Sequence, residues 1–151
     1  FGYTQAEIDA IWRCSVTPEF FAGMKPLPGV SDFNQALPDF LHDDIYFVTA
    51  RGGGKQEAEQ WLFAETGIYN PTVLMTKQKG AIAAALGLDV FVDDRLEFAL
   101  DVRISSPATR VYLLDAPWNA YDSIDGVYRI KTLSQMFQIE ADRQERLDAL
   151  E

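Results

Sequence analysis

The chain is poor in cysteine, histidine and positive charge, and each shortage closes off a class of function. Cys14 is the one cysteine, so neither an internal disulfide nor a cysteine metal cluster can form within the chain, and a reducing cytoplasmic setting is expected. His42 is the one histidine, which rules out a multi-histidine zinc site in a single chain. Lysine and arginine total 13 against 23 acidic residues, a net charge of -10. With no basic run to offset it, this balance argues against binding a nucleic acid polymer or an anionic membrane. No apolar stretch reaches the ~18 residues of a membrane span, and no signal peptide is visible. Internal repeats and low-complexity tracts are missing too.

What is present is a core-forming composition. Of 151 residues, 48% are hydrophobic and 13% aromatic, which excludes a disordered chain and fits one domain, or one domain with a small appendage. The chain opens at Phe1 without an initiator methionine, so a trimmed start, or one partway through an ancestral domain, is expected.

Residues 1–44 read as a helical, cap-like segment. Thr4-Gln5-Ala6-Glu7 has the form of a capping box, and Ile8, Ile11 and Trp12 follow on one helical face. Thr17-Pro18-Glu19 starts a second helix carrying Phe20, Phe21 and Met24, and a short helix around Ser31–Leu37 follows a break at Pro26, Pro28 and Gly29. From Asp44 the pattern becomes one of strands alternating with helices. Strands are expected at Ile45–Thr49, Thr72–Met75, Val90–Val92, Val111–Leu114 and Val127–Ile130, with helices stopped by Gly67 and Gly87 between them. Residues 131–151 form a final amphipathic helix. Short connections between such elements imply an α/β fold, a Rossmann-like parallel sheet flanked by helices, over residues 45–130. Trp12, Trp61, Phe20 and Phe21 are expected in the core, Cys14 as a packed thiol, Trp118 and Tyr121 in packing, and His42 in a surface turn.

Open parallel sheets bind ligands at the carboxyl ends of their strands. Two motifs stand there: Thr49-Ala50-Arg51 and Asp93-Asp94-Arg95. A strand delivering two carboxylates to a loop suits a hard cation such as Mg2+, whereas the plainer alternative is that Asp93 caps the next helix. Thr49 and the Gly52–Gly54 loop can offer a hydroxyl and amides to a phosphate. Lys77 and Lys79 stand near a helix start, unfavourable for a cation unless an anion is also present.

In that order, these residues resemble the haloacid dehalogenase superfamily of phosphohydrolases, nearest its 5'(3')-deoxyribonucleotidase-like branch. FVTARGGG at 47–54 is similar to the second motif, and TKQKGAIAAALGLDVFVDDR at 76–95 to the third and fourth. The PLPG-like turn at Pro26–Gly29 and the segment Pro117-Trp118-Asn119 add to the likeness, which covers about residues 10–140. The resemblance implies that Thr49 binds the transferring phosphoryl group, that Lys79 (or Lys77) neutralises its charge, and that Asp93 and Asp94 hold Mg2+ or Mn2+. Arg51, Gly52 and Arg95 join the substrate contacts. The sequence departs from the family at its first motif, a DxD pair ending the first strand. Asp9 and Asp32 lie in helical sequence, and Asp122–Val127 reads as a turn into the last strand.

The expected activity is therefore slow, unselective phosphoester hydrolysis by metal-activated water. The alternatives are a binding or interaction domain that does not turn its ligand over, and a nucleophile supplied by another chain or by upstream sequence. The resembled fold would place its first strand between those ending at Thr49 and Asp93. Without it, those two strands either pair directly or leave an opening that a second copy fills, giving a homodimer in which residues 1–44 contribute heavily.

Overall fold

A computed structural model of the chain describes residues 2–27, 33, 44–120 and 123–150. The helix expected at Ser31–Leu37 (apart from Phe33), and His42, Tyr121 and Asp122, lie outside these described residues. The fold is Rossmann-like α/β, with parallel strands flanked by helices, and the chain divides into two compact units.

The first unit takes in residues 1–26 and 43–77. Helix α1 (Gln5–Cys14) starts at the expected capping box: the Thr4 hydroxyl accepts from the Glu7 amide, and the Thr4 amide donates to the Glu7 carboxylate at 2.8 Å. Helix α2 (Pro18–Gly23) follows a simpler cap, the Thr17 hydroxyl accepting from the Phe20 amide. Strand β1 (Tyr46–Thr49), helix α3 (Lys55–Thr66) and strand β2 (Thr72–Met75) complete the unit, with β1 and β2 parallel and Thr49 opposite Met75. Phe21, Leu62 and Val73 are buried, and the Trp61 indole donates to the Met24 carbonyl at 3.0 Å.

Several expectations fail in this unit. Helix α1 buries no residue; Ile11 and Trp12 are more than half exposed, Phe20 is exposed and Trp61 half-buried. Cys14 is an exposed thiol, not a packed one. Helical spacing shows which side chains share a stripe, but whether another element covers that stripe is a long-range matter.

The second unit takes in residues 27–42 and 78–151. It runs through α4 (Lys79–Leu86), β3 (Val90–Asp93), α5 (Leu96–Ser105), β4 (Arg110–Leu114), β5 (Val127–Ile130) and α6 (Leu133–Asp148). Its strands form a parallel sheet of order β3-β4-β5, and among the described residues the one strand paired with β3 is β4. Strand alternation sorts the side chains onto two faces. Phe91, Val111 and Leu113 meet Ala83, Ala99 and Val102 on the face covered by α4 and α5. Tyr112, Leu114 and Ile130 meet Leu133 and Met136 on the face covered by α6. Glu140 pins α6 to the sheet: Tyr112 donates to it at 2.6 Å, and Arg110 donates to both of its oxygens at 2.8 and 2.9 Å.

Candidate functional site

Strand β3 ends in Asp93, and the loop beyond it is Asp94-Arg95. Sheet pairing of Asp93 with Leu113 buries its side chain at the carboxyl edge, where an acid needs partners. Lys79, the first residue of α4, supplies one: its Nζ is 2.5 Å from Asp93 Oδ2, and the two side chains are 8% and 5% exposed. The Lys79 ammonium also lies 4.3 Å from the centroid of the Phe98 ring. The Arg95 amide donates to Asp93 Oδ1 at 2.9 Å. Burial pushes the Asp93 carboxyl above its usual range, and Asp94 adds to the rise; Lys79 and the Arg95 amide pull against it without cancelling it.

Gly80 allows this arrangement. A Cβ there would stand 2.4 Å from the Asp101 carbonyl oxygen and 2.6 Å from Ser105 Oγ, so only glycine lets α4 lie this close to α5. Its amide donates to the Asp101 carboxylate at 2.6 Å, satisfying one free amide of the helix start. Lys79 is thereby held at a helix amino terminus, the wrong end of the dipole for a cation. It is compensated by Asp93 and the Phe98 ring.

Asp94 is half-buried, and its carboxylate accepts no hydrogen bond from a described residue. Its carbonyl accepts two, from Asn119 Nδ2 at 2.7 Å and from Trp118 Nε1 at 3.1 Å. The Arg95 guanidinium is turned to Glu97 at 2.6 Å. Arg95, Leu96, Glu97, Trp118 and Asn119 line a cleft of about 210 Å³ beside the loop. Trp118 is 57% exposed, which corrects its expected burial in packing.

Of the residues expected from sequence, Lys79, Asp93, Asp94 and Arg95 come together. Phe98 and Asn119 join them without having been singled out for the site, as does Trp118, expected in packing rather than in a pocket lining. The Pro117-Trp118-Asn119 string was the available signal, whereas nothing local marked Phe98. Asp93 does not cap α5: its oxygens take Lys79 and the Arg95 amide, and α5 has no side-chain cap.

Thr49, Arg51, Gly52 and Lys77 belong to the first unit. The Thr49 hydroxyl accepts from the Arg51 amide at 3.3 Å, and its carbonyl accepts from the Thr76 amide at 2.8 Å. The Arg51 guanidinium lies 5.2 and 4.9 Å from the ring centroids of Phe20 and Phe21, donates to Met24 Sδ at 3.4 Å, and has no carboxylate partner among the described residues. Burial lowers its pKa. Gly52 faces open space, and Gly54, at φ +75°, begins α3. Lys77 is exposed, in contrast to Lys79. A larger hollow of about 460 Å³ in this unit, between α3 and the turn before β2, contains none of these residues.

Magnesium takes one or two carboxylates, with waters and substrate oxygens completing its octahedron. Asp94, whose carboxylate accepts no hydrogen bond from a described residue, is the one open donor of this kind at the loop, whereas both Asp93 oxygens are already taken by Lys79 and the Arg95 amide. No cluster of three or more histidine, cysteine or acidic side chains is found among the described residues, so they form no all-protein cage. No described helix is long and apolar enough to cross a membrane. No protein-family model, curated protein or solved structure matches the chain.

Proposed function

We propose that the chain is a phosphoester hydrolase derived from the haloacid dehalogenase superfamily, acting on small phosphorylated molecules. The observation that carries this reading is the buried Lys79 at a helix amino terminus, 2.5 Å from Asp93 at the carboxyl end of a parallel strand. Asp93 takes one of the three Lys79 ammonium protons, and the resemblance assigns the others to neutralising phosphate oxygens. Asp94, with Asp93, would hold Mg2+ or Mn2+, and the ion would supply charge screening and a water of lowered pKa. In the first unit, the resemblance assigns Thr49, Arg51 and Gly52 to phosphate contact, and an Arg51 guanidinium without a carboxylate partner among the described residues supports that assignment. The expected outcome is hydrolysis of p-nitrophenyl phosphate that requires Mg2+ or Mn2+ and is lost in Asp93→Asn and in Asp94→Asn. Hydrolysis that survives both substitutions and EDTA overturns the reading.

A second reading, phosphate or nucleotide binding without turnover, is favoured by the engagement of both Asp93 oxygens, which leaves no free nucleophile on that side chain. Calorimetric binding of phosphate with no hydrolysis of mono-, di- or triesters selects it. The proposal includes a homodimer. It is supported by the exposure of Ile11 and Trp12 on α1, a helix that buries no residue. A sedimentation mass near 17.0 kDa at micromolar concentration excludes the dimer.

A further inference from the structure

Asn119 is 1% exposed, and all four of its hydrogen-bonding positions are used. Nδ2 donates to the carbonyls of Asp94 (2.7 Å) and Leu114 (2.8 Å). Oδ1 accepts from the Ala116 amide (3.0 Å) and from Arg129 Nη2 (2.9 Å). The Asp94 carbonyl and the Arg95 amide belong to one peptide unit. The carbonyl is held by Asn119 and Trp118, and the amide donates to Asp93, which in turn binds Lys79. A peptide unit is planar, so turning it to release the carbonyl also swings the amide away from Asp93.

We propose that Asn119, assisted by Trp118, is a positioning residue that sets the Asp93–Asp94 carboxylates by fixing the peptide between Asp94 and Arg95. The structural alternative is that Asn119 only staples the loop between β4 and β5. Its bonds to Leu114 and Ala116 serve that purpose, but its bond to Asp94 does not. The consequence for catalysis rests on the phosphoester reading; the consequence for the Arg95 amide does not.

The test is nuclear magnetic resonance on the whole chain for Asn119→Asp and Trp118→Phe, alongside p-nitrophenyl phosphate kinetics with Mg2+. Asn119→Asp is nearly isosteric but turns an oxygen towards two carbonyl oxygens. Trp118→Phe removes one donor and leaves the buried asparagine in place, so a folded variant is available if the first fails. The Arg95 amide should shift upfield and exchange about tenfold faster in Asn119→Asp and about threefold faster in Trp118→Phe, while the Val111 and Leu113 amides of β4 keep their protection. Turnover should fall with KM nearly unchanged. An unmoved Arg95 amide in both variants overturns the proposal, as does a moved amide with unchanged turnover in an active parent. A moved amide in a parent that neither binds nor hydrolyses phosphoesters supports the positioning role and removes the hydrolase reading instead.

Discussion

Lys79 and Asp93, 14 residues apart in sequence, meet as a buried ion pair with Nζ and Oδ2 separated by 2.5 Å. Removing one partner strands the other's charge away from water. Lys79→Met should therefore destabilise the protein by about 3–5 kcal/mol. The double variant Lys79→Met, Asp93→Leu should recover most of that loss in urea unfolding while remaining inactive towards phosphoesters. If the double variant is no more stable than the single one, the pair does not act as a unit.

Gly80→Ala should separate α4 from α5, because the added methyl would overlap the Asp101 carbonyl, which is backbone and cannot swing aside. The expected cost is about 1–3 kcal/mol, as for overpacked cores. Because Lys79 is the adjacent residue, activity should fall as well. A denaturation midpoint within error of the parent's speaks against the close approach.

Arg51→Ala should weaken phosphate affinity and loosen the aromatic contacts of α2. Cation–π contacts of this kind are worth about 0.5–2 kcal/mol. Arg51→Lys keeps the charge but not the flat guanidinium over two rings, so it should rescue phosphate affinity better than stability. Equal rescue of both properties, or of neither, counts against separate roles for the charge and the plane.

Burial alone raises the pKa of Glu140, but its hydrogen bonds from Arg110 and Tyr112, with the charges of Arg110 and Arg143, outweigh that and hold it below its ordinary value. A depressed carboxyl contributes stability above its unfolded pKa, about 4.3, and that contribution is lost as pH falls through the folded value. Glu140→Gln should cost about 1–3 kcal/mol at neutral pH and flatten the acid side of the stability curve. A curve of unchanged slope below pH ~4.3 removes Glu140 from the acid transition.

The fold was largely legible because its signals are local. Thr4, Thr17, Gly67 and Gly87 bound their helices as expected, and the five strands fall within a residue of the apolar runs that announced them. Lys79 and Asp93 could be named from sequence, but their direct pairing could not, since it depends on how closely α4 approaches α5. The exposure of Trp12, Cys14 and Trp118 was misjudged for a related reason: residue type reports what a side chain favours, not what covers it. Asn119 belonged to a string noted for resemblance, yet its bond to the Asp94 carbonyl joins two loops 25 residues apart.

The edge position of β3 bears on how the protein behaves when concentrated. Its Val90-Phe91-Val92 run has high strand propensity and includes neither proline nor lysine, the residues that commonly guard an edge. Its main safeguard is brevity, four residues ending in an aspartate. Lys79 neutralises that aspartate, so it adds little electrostatic repulsion between molecules. Among the described residues no second strand pairs with β3, and an unpaired edge can recruit strands from neighbouring chains, so aggregation would grow with concentration.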